Sequence, residues 1–139
     1  MKAQTGDLVY GLYATTPGNT PNTQIVTAGK TTVDGASVLP LNTWSHLAAT
    51  YDGGTLRLFV NGSQVSSLTV SGSLVTSTGV LTIGGESIWG KNFRGILDEV
   101  RIYNHALSAA QIQADMITPL GGVNPKPTPP SALKIVAGP

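Results

Sequence analysis

Hydrophobic positions recur at every second residue along most of the chain, the period of half-buried strands rather than helices. Gly6 to Ala14 alternates, with Leu8, Tyr10 and Leu12 on one face. Thr23 to Ala28 is a short β-branched run. Trp44 to Tyr51 sets Leu47, Ala49 and Tyr51 on one side and Trp44, His46, Ala48 and Thr50 on the other. After the turn Asp52-Gly53-Gly54, Thr55 to Val60 groups Leu56, Leu58 and Val60 against Arg57 and Phe59. Asn61-Gly62 follows, the dipeptide best suited to a type I′ turn because both central residues need positive φ. Ser63 to Val70 then returns as the partner strand. Val80 to Ile83 and Phe93 to Tyr103 complete the pattern. Seven or eight strands at this spacing predict an all-β fold, a two-sheet antiparallel sandwich of jelly-roll type.

One segment breaks the period. Ser108 followed by Gln111 has the spacing of a capping box, and Leu107 with Ile112 that of a hydrophobic staple. A short C-terminal helix is predicted over Ala109 to Met116, ending before Pro119 and lying across one end of the sandwich.

The pattern also divides the chain. Residues 1–117 read as one β domain. Residues 118–130 carry five prolines and no period, as expected of an extended linker. Residues 131–139 alternate again through Ser131 to Val136, like the start of a following β domain or a tail.

Composition narrows the function. The chain has 139 residues, of which 40% are hydrophobic, so a core is within reach. Its 8 Lys+Arg and 7 Asp+Glu give a formal net charge of +1. That argues against nucleic acid or an anionic membrane surface as partner. No apolar run approaches the roughly 18 residues of a membrane span, so membrane insertion is not expected. There is no cysteine, hence neither disulfides nor a thiolate metal site.

Four segments together resemble the LamG-like jelly-roll domains of the concanavalin A-like lectin/glucanase superfamily. They are Leu41 to Gly53, Leu56 to Gly62, Leu81 to Gly85 and Phe93 to Ser108, in that order and spacing. The resemblance covers roughly residues 1–117. The family's opening motifs, an FDG-x-D-D-Y-V-like strand and an E-x-W-V strand, do not occur. The domain is therefore expected to be N-terminally incomplete, with exposed edges that favour a homodimer or strand exchange. The resemblance implies a non-catalytic module of a secreted or cell-surface bacterial multi-domain protein that binds a glycan or an extracellular protein ligand. A structural spacer or adhesion module, or an accessory domain of a glycoside hydrolase, stands as the alternative.

Candidate site residues follow. Asp98 and Glu99 are adjacent on an expected strand and so point to opposite faces. Glycosidase carboxylates must flank one sugar bond, about 5–9.5 Å apart. The superfamily's catalytic E-x-D pattern is missing, so no catalytic residue is assigned and the chain is not expected to be an enzyme. Asp98 shares a face with Ile96, Val100 and Ile102, which leaves two readings. Either it is a structural lock bonded to backbone amides, His46, Arg94 or Arg101, or it is a ligand of the structural calcium that the resemblance implies. His46 reads as a core or semi-core histidine, and Asn61-Gly62-Ser63 is a sequon explained by its turn chemistry. The best binding candidates lie in the loop Glu86 to Asn92. There Trp89, with Glu86, Lys91 and Asn92, could stack a sugar ring and bond its hydroxyls. The same tryptophan could instead cover the end of the core. The polar loop Thr15 to Asn22 is a second candidate rim. Arg57 and Arg101 read as solvated strand charges.

Overall fold

The computed structural model describes residues 1–15, 18–86 and 88–121, with the side chain of Glu86 excepted. The strands, in chain order, are β1 (Lys2–Gln4), β2 (Asp7–Tyr13), β3 (Asn22–Val26), β4 (Lys30–Asp34), β5 (Leu47–Tyr51), β6 (Thr55–Val60) and β7 (Ser63–Thr69). Two dipeptide strands follow, β8 (Gly85–Glu86) and β9 (Lys91–Asn92), and then the helix α1 (Ala109–Ile117). Strands β1 to β4 form one antiparallel meander and β5 to β7 a second. The two sheets face each other, with β3 and β4 lying against β6.

The alternation read from the sequence is what closes this sandwich. Ile25 and Val33 from the first sheet meet Leu56 and Leu58 from the second, and Tyr10, Leu12, Tyr51 and Val70 pack around them. Leu58 is fully buried. Burying side chains of this size stabilises by about 1.5–3 kcal/mol each. Sheet edges are tied by local polar contacts. Asn22 donates to Asp34 at 2.7 Å, and the Tyr51 hydroxyl donates to the Gly72 carbonyl at 2.5 Å.

The central hairpin forms as the dipeptide signal predicts. Asn61 and Gly62 have φ of 50° and 76°, and Val60 pairs with Ser63 across the turn. The Asn61 side-chain oxygen accepts from the His46 amide at 2.9 Å, and the Asn61 amide donates back to the His46 carbonyl at 2.8 Å. The preceding turn is held by Asp52, whose carboxylate accepts from the Gly54 and Thr55 amides and pairs with Arg57 at 2.6 Å. Arg57 is thus engaged rather than simply solvated.

The helix also forms where its caps place it. The Ser108 hydroxyl accepts from the Gln111 amide while the Gln111 side chain accepts from the Ser108 amide, closing the capping box. Ile112 is buried at 2% exposure. The Gln113 side chain donates to the Gly62 carbonyl, so α1 docks on the Asn61–Gly62 turn at one end of the sandwich.

Three expectations are corrected, and one strand was missed. Trp44 to His46 lie outside the strand, which begins at Leu47. Strand β4, with Val33 its only large apolar residue, was not anticipated. Val80 to Ile83 makes only a bridge, Leu81 to Lys2, extended by hydrogen bonds between residues 80–82 and residues 1–3. The largest departure is Phe93 to Tyr103, which alternates yet forms no strand. It bends at Gly95, and Glu99 takes a left-handed φ of 53°. Ion pairs then hold its far half. Arg101, whose side chain is only 14% exposed, pairs with Glu99 at 3.1 Å and Asp115 at 3.2 Å, and its guanidinium also donates to the Thr118 carbonyl. The Tyr103 hydroxyl donates to Asp115, and the Leu120 amide donates to Glu99. Arg101 is therefore a fastener between this segment and the end of α1 rather than a solvated strand charge. Beyond residue 121, the expected linker and following segment lie outside the described residues.

Candidate ligand site at the Trp89 hairpin

The loop Glu86 to Asn92 is itself a small hairpin. Gly85 pairs with Asn92 and Glu86 with Lys91, while Gly90 at φ 63° turns the chain. Trp89 sits at its tip, 45% exposed, and Lys91 and Asn92 are exposed beside it. Ser87 and the side chain of Glu86, the latter named above as a candidate, lie outside the described residues.

Two residues from the first sheet complete the group. The Lys30 ammonium stands 5.1 Å from the centre of the Trp89 ring. A cation at that distance is attracted by the ring's negative face, worth about 0.5–1 kcal/mol at an exposed site. Lys30 also pairs with Asp7 at 3.1 Å. Partial desolvation works to raise the Asp7 pKa. The Leu8 amide, at 2.8 Å, and Lys30 outweigh it and hold the carboxyl below its ordinary range. Asp7 is thus a fixed acceptor at neutral pH, and Lys30 a fixed donor held over an aromatic face.

The meander places this group with a second polar feature. Because β1 to β4 run antiparallel in order, the β1–β2 and β3–β4 turns lie at the same end of the sheet. Asp7 opens β2 and Lys30 opens β4, so both belong to that end. The same β1–β2 turn contributes Gln4 and Thr5 to an open cleft of about 600 Å³ whose other wall is Thr76, Ser77 and Thr78. Ser77 is fixed there by donating to the Ala3 carbonyl and accepting from the Gly79 amide. An aromatic face, an ion pair and a hydroxyl-lined cleft therefore share one end of the domain. The other rim considered, Thr15 and Gly18 to Asn22, follows β2 and lies at the opposite end of the sheet, with Thr16 and Pro17 outside the described residues.

Sequence reasoning singled out Trp89, Lys91 and Asn92 but missed Asp7 and Lys30. The only signal for those two was their placement at strand starts, which becomes informative once the register is known.

Asp98 stands elsewhere and exposed, its carboxylate accepting from the Glu99 amide at 2.9 Å. The left-handed Glu99 interrupts the alternation that would have put Asp98 on an apolar face. Calcium takes six to eight oxygens. Among the described residues no three acidic or histidine side chains gather where they could hold a metal ion.

A four-stranded sheet packed on a three-stranded one, closed by a short capped helix, defines an antiparallel β-sandwich module with an aromatic hairpin at one end. The chain belongs to the concanavalin A-like lectin/glucanase superfamily, whose laminin G-like profile matches residues 2–113. It is 36% identical over 94 residues to mouse Pappalysin-1, and 38% identical over 80 residues to the human protein. Those alignments cover 63% and 54% of this chain but only 6% and 5% of the relatives, so it spans a small fraction of their length. Among solved structures it resembles residues 221–444 of an S-layer domain-containing protein from Clostridium thermocellum ATCC 27405, with TM-score 0.51 and 27% identity. That match covers 68% of this chain and 50% of the other. Among the described residues no helix is long and apolar enough to cross a membrane.

Proposed function

We propose that this domain is a non-catalytic, extracellular binding module that takes a carbohydrate ligand at the Trp89 end of the sandwich. The observation that carries the reading is Trp89, 45% exposed at the hairpin tip, beside the Lys30–Asp7 pair. Sugar rings present apolar C–H faces that stack on indole, while their hydroxyls need both donors and acceptors. Lys30, Lys91 and Asn92 supply donors, and Asp7 and Asn92 supply acceptors. The likeness to an S-layer domain supports a place outside the cell.

The test is a glycan array followed by titration calorimetry of any hit. Trp89→Ala is expected to abolish binding, and Lys30→Met to weaken it about tenfold, the effect of losing one charged hydrogen bond. An array without hits, or hits indifferent to Trp89→Ala, refutes the reading. That result favours a second reading, for which the ammonium already seated by the ring speaks: Lys30 and Trp89 then cap the sheet end of an adhesion or spacer module.

A further inference from the structure

Asp7 links the Trp89 group to the neighbouring cleft. It is the register partner of Gln4 across the β1–β2 turn. Directly opposed residues of an antiparallel pair present their side chains on one face, about 4.5–5.5 Å apart at Cβ. Gln4 in turn lines the cleft. Strand order sets the scale. Gln4 ends β1 and Lys30 opens β4, at the same end of the sheet. The three strand spacings between them amount to about 14–15 Å. A single sugar ring stacked on Trp89 is too short to cover that span, whereas a chain of about three pyranose rings matches it.

The lining of the cleft suits the far end of such a chain. Its residues are Gln4, Thr5, Thr76, Ser77 and Thr78, none charged and none aromatic. Ser77 is occupied by the Ala3 carbonyl and the Gly79 amide. The side chains of Gln4, Thr5, Thr76 and Thr78 make no hydrogen bond among the described residues. Their hydroxyl and amide groups both donate and accept, as sugar hydroxyls do. Lys2 donates to the Gly79 carbonyl and does not line the cleft. A carboxylate or sulfate entering there would lose water without a cation in the lining to meet, which is costly. An uncharged, hydroxyl-rich ring is the unit that fits.

Resting on the carbohydrate reading above, we infer that the ligand is a linear oligosaccharide of about three rings or more, stacked on Trp89 at one end and placing an uncharged ring among Gln4, Thr5, Thr76 and Thr78 at the other.

The test uses the full 139-residue chain and an array of cello-, chito-, manno- and galacto-oligosaccharides, each from the single sugar upward, with calorimetric titration of the series that bind. Affinity is expected to rise about tenfold from the single sugar to the trimer, the effect of one or two neutral hydrogen bonds, and then to level off. Thr76→Val combined with Thr78→Val removes two hydroxyls and keeps the side-chain shape. It is expected to bring the trimer's affinity down to that of the single sugar. Both positions are exposed, so the fold is kept, which circular dichroism checks. An affinity independent of length, or a rise that survives the double variant, overturns the inference while the Trp89 reading stands. Binding that ignores Trp89→Ala at every length, or no binding in any series, refutes both.

Discussion

Replacing Gly62 by alanine separates the two demands placed on the central turn. Its φ of 76° is left-handed, which costs an L-residue about 1–2 kcal/mol. A Cβ built there would also lie 2.9 Å from Cγ of Gln113 on the helix. Gln113 must then withdraw, and with it goes its 3.2 Å hydrogen bond to the Gly62 carbonyl, worth about 0.5–1.5 kcal/mol. The expected loss is about 1.5–3.5 kcal/mol. Gly53 is the control. Its φ of 90° is also left-handed, but nothing lies within 4 Å of the position its Cβ would take. Gly53→Ala should therefore cost only the backbone share, about 1–2 kcal/mol. The assay is urea unfolding followed by circular dichroism. The excess of Gly62→Ala over Gly53→Ala should vanish when both are made in a Gln113→Ala background, since the helix then has nothing to withdraw. Equal losses in the native background, or an excess that survives Gln113→Ala, would refute the argument that the turn and the helix meet through this pair.

Two further outcomes follow. Leu58→Ala empties the centre of the core and should cost about 2–5 kcal/mol in the same urea assay, since β6 is flanked by strands on both sides and cannot collapse inward; a loss under about 1 kcal/mol would contradict the packing. Asp52 has its pKa lowered to about 2, first by Arg57 and then by the Gly54 and Thr55 amides, from an ordinary 3.8. Its contribution is thus complete above about pH 4 and lost as pH falls towards 2. Native stability should therefore fall over that window more steeply than that of Asp52→Asn, and parallel acid titrations of the two would count against the turn's role.

Where alternation on both strands flanks a recognisable turn, the fold was legible. The β6–β7 hairpin needed only alternation on either side of Asn61-Gly62, and α1 only Ser108 and Gln111 at capping distance. Strand β4 escaped because Lys30-Thr31-Thr32-Val33-Asp34 contributes one large apolar side chain, and its pairing with β3 comes from β-branched threonines and register. Phe93 to Tyr103 failed in the opposite way. Its period is correct, but a period specifies only which side chains share a face, whereas a strand also needs a second backbone to bond. The ligand site divides along the same line. Trp89, Lys91 and Asn92 form a local cluster and could be named at once. Asp7 and Lys30 reach it from the other sheet, through a juxtaposition that only the β2–β3–β4 register creates.

The fastening at Arg101 of the segment that follows α1 also has a mechanical meaning. Thr118 and Leu120, which follow α1, are bonded to Arg101 and Glu99. A pull applied at residue 121 therefore reaches these polar contacts before the sandwich core. In a chain joined to further domains under tension, such a contact would work as a fuse, yielding first and re-forming when the load is removed.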